Sequence, residues 1–218
     1  MSFTGFPEDA LEFYEGLEAD NSKAYWQDNR ATYEKAVRDP MAALLAALEP
    51  EFGPAKFFRP YRDVRFARDK SPYKTAAGAV VHGEHGSGVL YVQVSARGLL
   101  CAGGYHETAS DQVERFRQAV ADDVAGQALV AIVDDLRGRG HPVEGERLKT
   151  RPRGYDADHP RIEFLRHRTL TAHRDFPPEP WLHTPECLGR VAGAWREFAP
   201  LNDWLQRNVG ASRQPARS

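Results

Sequence analysis

Three short runs decide the fold: Ala76-Ala77-Gly78-Ala79-Val80-Val81-His82, Val89-Leu90-Tyr91-Val92-Gln93-Val94-Ser95 and Gly98-Leu99-Leu100-Cys101-Ala102-Gly103. Each has strand length and is bounded by turn residues. The links, His82-Gly83-Glu84-His85-Gly86-Ser87-Gly88 and Ala96-Arg97-Gly98, are rich in glycine. Links this short join antiparallel neighbours, because a parallel pair needs a crossover of about a dozen residues or more. The runs therefore read as an antiparallel β-meander.

Helical patterns flank it on both sides. Leu11, Tyr14 and Leu17 recur at helical spacing after Pro7. Asn21 or Ser22 can cap a second helix carrying Trp26, Tyr33 and Val37. Asp39-Pro40 has the form of an N-cap followed by proline at the first helical position, opening a third helix that ends near Gly53. Lys56 to Tyr61 reads as a short strand. Beyond the meander, Ser110 is placed to cap a helix with Val113, Phe116 and Val120. A further helix carries Leu129, Ile132, Val133 and Leu136. A strand-like piece at Val143, a short helix from Pro160 to His167 and a strand from Thr169 to Arg174 follow. Thr184-Pro185 then opens a final helix, expected to break at Pro200. Helices, meander and helices again predict an α+β fold with the β-meander packed against N-terminal and C-terminal helices. A single domain over 1–210 and a disordered tail over 211–218 are expected.

The chain has 218 residues, enough for a sizeable core without staples. Cys101 and Cys187 form no Cys-x-x-Cys pair and read as buried thiols in a reducing compartment. The N-terminus lacks the pattern of a signal peptide, and no apolar run approaches the ~20 residues of a membrane span. A cytoplasmic location and no membrane partner are expected. The phosphate-loop and dinucleotide glycine fingerprints are absent, so no cofactor is expected.

Net charge is −2, unevenly placed. Residues 56–74 hold seven cations against Asp63 and Asp69, and residues 147–168 hold seven against Asp156, Asp158 and Glu163. The remaining chain is strongly acidic. Such a distribution favours a local anion site over a general nucleic-acid coat, since an acidic body is repelled by a phosphate backbone.

The first basic stretch runs Arg59-Pro60-Tyr61-Arg62-Asp63-Val64-Arg65-Phe66-Ala67-Arg68-Asp69-Lys70-Ser71-Pro72-Tyr73-Lys74-Thr75. Its cations alternate with Tyr61, Phe66 and Tyr73, whose rings can steady guanidinium stems. Ser71-Pro72 can open a helical turn whose free N–H groups favour an anion, flanked by Lys70 and Lys74. Two readings stand side by side. In one, Arg59, Arg62, Arg65, Asp69, Lys70, Ser71, Tyr73 and Lys74, with Lys149 and Arg153 from the second stretch, form a pocket for a phosphate- or carboxylate-bearing small molecule. In the other, the same charges are an ion-pair network tying the loop to acidic helices.

This stretch resembles the signature of a bacterial family of conserved hypothetical proteins, the domain of unknown function 2461. The resemblance extends through Gly5-Phe6, Asn21 to Trp26, Tyr33, Gly103-Gly104, Leu148-Lys149, Pro152-Arg153-Gly154 and His159-Pro160. It spans Phe6 to Leu205 and implies one fold over that length. Ala67 and Ala102 stand where the resemblance leads one to expect serine and glycine, so any chemistry resting on that serine is absent here. The family implies no reaction.

Weaker signals are His82, Glu84 and His85 in a glycine-rich turn, read as solvated, with no metal expected. Gly103-Gly104 reads as a bulge or a point of close approach. Asp158-His159 lacks an accompanying nucleophile motif. The functional readings are a binder or enzyme for an anionic small molecule, a nucleic-acid module stacking bases on Tyr61, Phe66 and Tyr73, or a scaffold docking an acidic partner. The first leads. The two basic stretches are expected to converge on one surface.

Overall fold

The structure, a computed structural model, describes residues 2–65, 68–82, 88–106 and 108–214. The helices are α1 (Asp9–Ala19), α2 (Lys23–Asp28), α3 (Arg30–Thr32), α4 (Asp39–Phe52), α5 (Ser110–Ala121), α6 (Asp123–Gly138), α7 (Ile162–Leu165) and α8 (Glu186–Asn208). The strands are β1 (Ala55–Phe57), β2 (Ala76–His82), β3 (Val89–Ser95), β4 (Gly98–Tyr105), β5 (Val143–Glu144) and β6 (Leu170–Phe176). They form one antiparallel sheet in the order β1-β2-β3-β4-β6-β5. The fold is α+β, and the meander read from the sequence is its β2-β3-β4 portion.

The chain divides into two compact units. The first comprises residues 1–81, 91–101 and 175–193. Its helices bury Leu11, Phe13, Tyr14 and Leu17 from α1, Trp26 from α2, and Met41, Leu44, Leu45 and Leu48 from α4. Ser22 caps α2 by accepting the Tyr25 N–H at 3.1 Å. β1 pairs with β2 in the register Ala55↔Val81, Lys56↔Val80 and Phe57↔Ala79. The expected helix start at Asp39-Pro40 is not a start. A π-helical turn over Tyr33–Arg38 runs straight into α4, and Arg38 is itself helical. The change of hydrogen-bond register lets Pro40, which has no N–H to donate, continue the helix.

The N-terminal segment of this unit is clasped by residues far along the chain. The Phe6 N–H donates to the Leu182 carbonyl at 3.0 Å. The His183 Nδ1–H returns a bond to the Phe6 carbonyl at 2.8 Å. Gly5 has φ +108°, and a Cβ there would lie 2.3 Å from the His183 carbonyl carbon. Only glycine fits this crossing.

The second unit comprises residues 82–90, 102–174 and 194–218, of which 215–218 lie outside the described residues. Its core gathers Val113, Phe116 and Val120 from α5, Leu129, Val133 and Leu136 from α6, and Trp195, Phe198, Leu201, Trp204 and Leu205 from α8. β5 pairs with β6 through Val143↔Ala172 and Glu144↔Thr171. The cap of α5 falls at Ala109, one residue before the expected Ser110, and the Gln112 side chain accepts the Ala109 N–H at 3.0 Å. Pro200 does not break the last helix: α8 is continuous across it. Gly103 lies against Phe198 of α8, where a Cβ would approach to 2.7 Å, and Gly104, at φ +126°, passes the Leu170 carbonyl. The glycine pair thus serves backbone and helix packing. Residues 212 and 213 are tied to Asp111, which accepts from Ser212 Oγ and the Arg213 N–H at 2.8 Å each.

Candidate functional site

The first basic stretch folds in the first unit as a loop with a closed neck. Tyr61 and Tyr73 form an antiparallel bridge. The Arg62 N–H donates to the Pro72 carbonyl at 2.9 Å, and the Lys74 N–H to the Pro60 carbonyl at 2.8 Å. The Asn21 side chain completes the neck like a short strand. Its Nδ2 donates to the Tyr73 carbonyl and its Oδ1 accepts the Tyr73 N–H, both at 3.1 Å. Trp26 stacks on Tyr73, with Tyr33 and Tyr61 against its other contacts at 4.8 and 6.0 Å between centroids. Tyr73 is buried, whereas Tyr61 is 49% exposed. Of the expected stacking rings, Tyr73 is therefore covered, Tyr61 is open, and Phe66 lies outside the described residues, as does Ala67.

Within the loop the charges largely satisfy each other. Arg62 pairs with Asp69. Asp69 Oδ1 also accepts the Ser71 N–H at 2.9 Å and the Ser71 hydroxyl at 2.6 Å. Arg65 grips Asp63 through Nε at 3.0 Å and Nη2 at 2.6 Å. Lys70 Nζ donates to the Val64 carbonyl at 2.9 Å. These contacts hold both acids in the charged form. The hydrogen bonds from Ser71, then Arg62, push Asp69 well below the usual carboxylate range. The Arg65 side chain and N–H bring Asp63 down to about 2. An ion-pair network is present, built from the loop's own aspartates.

Ser71-Pro72 does not open a helical turn. The Pro72 carbonyl is committed to the neck and Tyr73 is extended in its bridge, so no row of free N–H groups forms. Ser71 instead closes a short turn onto Asp69.

Arg59 and Lys74 lie at the base of the loop. Among the described residues, neither Arg59 nor Lys74 has a carboxylate within ion-pair distance. Lys74 lays its ammonium over the Phe58 ring, 5.0 Å from the centroid. Burial, and then the charge of Arg59, hold Lys74 below its ordinary value. Two like charges are thus kept near one another at the base of the loop.

Lys149 and Arg153 belong to the second unit. Both are exposed, Arg153 just before a turn at Gly154 with φ +89°. Lys149 offers its carbonyl to Arg166 Nη2 at 2.8 Å. Nearby, His159 Nδ1 accepts the Arg161 N–H at 3.1 Å, an end-capping contact in place of a pair with Asp158. The buried Arg161 donates to the carbonyls of Val120 and Ala121 and to Asp123, bracing the α5–α6 corner. Among the described residues no group of His, Cys, Asp or Glu side chains is placed to hold a metal. Glu84 and His85 lie outside the described residues.

The second unit also holds a groove of about 750 Å³ that the sequence did not single out. It is lined by His106, Arg137, Glu144, Glu146, Arg147 and His167, with Thr169 and Thr171. Its members come from four separated stretches, so no local motif announces it.

Fold and loop together define an α+β protein with a tyrosine-bridged, basic loop. The chain belongs to the family of conserved hypothetical proteins DUF2461, whose profile matches residues 9–204. No curated protein matches the chain. No described helix is long and apolar enough to cross a membrane.

Proposed function

We propose that the protein binds a small anion bearing phosphate or carboxylate, with Arg59 and Lys74 as its principal cations. The observation that carries this reading is their juxtaposition with no carboxylate within ion-pair distance among the described residues, Asp63 feeling the charge of Arg59 only from farther off. Holding two like charges together, one of them half-buried, costs stability, and a bound anion offsets that cost. The neighbouring loop supports the reading because its two aspartates are already taken, Asp69 by Arg62 and Asp63 by Arg65. Arg62, Arg65 and Lys70 are occupied, and Asp69 and Ser71 act as its internal brace. Lys149 and Arg153 are a second, exposed pair of cations in this proposal. The two buried cysteine thiols, neither in a disulfide, support a reducing, cytoplasmic location.

Isothermal titration of the full chain with inorganic phosphate and with citrate tests the reading. We expect binding that weakens with salt and falls about tenfold in Lys74→Met, the loss of one charge-assisted contact. Wild-type affinity in both Arg59→Ala and Lys74→Met, or no binding of either anion, overturns it. Tighter binding of mixed-sequence single-stranded oligonucleotides than of either small anion would favour the nucleic-acid reading instead.

A further inference from the structure

The groove in the second unit is built around a histidine with one idle nitrogen. His167 is only 5% exposed, yet it lines the groove. Its Nδ1 lies 2.9 Å from the Thr169 carbonyl. A carbonyl can only accept, so Nδ1 carries the proton and, in the neutral ring, Nε2 keeps a lone pair. Among the described residues that nitrogen has no protein partner. The ring is buried but Nε2 is not sealed in, so its lone pair opens to the groove, where a hydroxyl donor can reach it.

The surroundings keep the ring neutral. Burial depresses its pKa first, and the charges of Arg147 and Arg137 act in the same direction. The Thr169 carbonyl and Glu163 act the other way and are outweighed. Arg147 is held near His167 by an antiparallel bridge between the two residues. Neither arginine is strongly engaged. Arg137 Nη2 meets the Val143 carbonyl at 3.4 Å, and Arg147 meets Glu163 at 3.7 Å with both side chains more than half exposed. The groove thus presents two available guanidinium groups and one neutral acceptor. Glu144 and Glu146, also on its lining, are further acceptors for hydroxyl protons.

We infer that this groove binds a small hydroxylated anion, of the sugar-phosphate or sugar-acid class. Arg137 and Arg147 take its charged group, and Nε2 of His167 accepts a proton from one of its hydroxyls. A bare anion satisfies the arginines and leaves the histidine idle, while a neutral sugar does the reverse. The joint requirement is what selects the class. This site is independent of Arg59 and Lys74.

The test is nitrogen-15 NMR of the histidine rings in the full chain, titrated separately with glucose phosphate, gluconate, inorganic phosphate and glucose. Glucose phosphate or gluconate should shift the His167 Nε2 signal, and which of the two does so identifies the charged group. Inorganic phosphate and glucose should shift it far less at equal concentration. Arg147→Met, at a half-exposed position that spares the core, should weaken the effective ligand about tenfold. The Arg59→Ala/Lys74→Met double variant should leave it unchanged. The inference fails if neither hydroxylated anion moves the signal, if glucose moves it equally, or if Arg147→Met binds as the wild type does.

Discussion

The indole of Trp26 lies flat on the phenol ring of Tyr73, with centroids 4.3 Å apart and planes 8° from parallel. This stack joins α2 to the neck of the basic loop, and Asn21 bonds the same tyrosine's backbone from the other end of the turn. Because Trp26 is buried, Trp26→Ala should cost roughly 3–5 kcal/mol in urea unfolding, the range for a large aromatic deletion. Asn21→Ala should cost about 1–3 kcal/mol, since it strands two backbone groups of Tyr73. Both variants should also make the 62–72 loop more open to limited proteolysis. A Trp26→Ala chain as stable as the wild type would show that the loop and the helix are not coupled through the stack.

Lys74 should contribute nothing favourable to the empty fold. Its pKa is held below the ordinary 10.5, so folding disfavours its charged form. Below the folded pKa the ammonium is charged in both states, and the full cost applies. That cost is relieved as pH rises from the folded pKa towards 10.5. Lys74→Met should therefore leave the melting temperature unchanged or raise it at neutral pH, and should flatten the stability gain in that alkaline window. Arg65→Ala should also leave it unchanged, because its pair with Asp63 is largely solvent-exposed. A marked drop in ligand-free buffer for either variant would make that residue structural.

Ser71 should set the acidity of Asp69. Its two hydrogen bonds are the leading cause of the depressed value, ahead of Arg62. Ser71→Ala should raise the Asp69 pKa, read by carboxyl carbon-13 NMR across an acid titration. The depressed carboxylate stabilises the loop above its unfolded value of 3.8, and that contribution is lost as pH falls through the folded value. In Ser71→Ala the loop should loosen at higher pH than in the wild type. An unchanged Asp69 titration would assign its acidity to the retained residue-71 N–H and Arg62 rather than to the hydroxyl.

Arg161 should be a stability residue of the second unit. It is 7% exposed and serves two carbonyls at the end of α5 as well as Asp123. Arg161→Met keeps the stem but abandons those carbonyls, and should cost about 1.5–3 kcal/mol by thermal or urea unfolding. Arg161→Lys should recover only part of that loss, because one ammonium cannot reproduce the planar fork.

The fold was largely legible because most elements state themselves locally. Strand-length runs between turn residues marked β2 to β4, and helical spacing marked α1, α5, α6 and α8. The misreadings share a cause. Asp39-Pro40 and Pro200 are local stop or start signals that tertiary packing overrides. Leu201, Trp204 and Leu205 are buried just beyond the exposed Pro200, and their burial keeps α8 continuous. At the candidate site, the density of charge in 59–75 was visible, but the pairing was not. Whether Arg62 reaches Asp69 or a distant helix depends on how the neck closes, which rests on Asn21 and Trp26 some fifty residues away. His167 was harder still, since Arg137, Arg147 and His167 meet only through the β5–β6 pairing and its neighbours.

The clasp at Gly5 has a consequence for how the chain is made. Phe6 finds its partners at Leu182 and His183, so this segment has no docking site until the chain has been made through His183. At ordinary elongation rates the Phe6 segment waits on the order of 10–40 s for that site. Until then Phe3 and Phe6, both buried in the finished protein, remain open to chaperones. A nascent chain stalled before Leu182 should leave this segment accessible to protease, and release of the stall should close it.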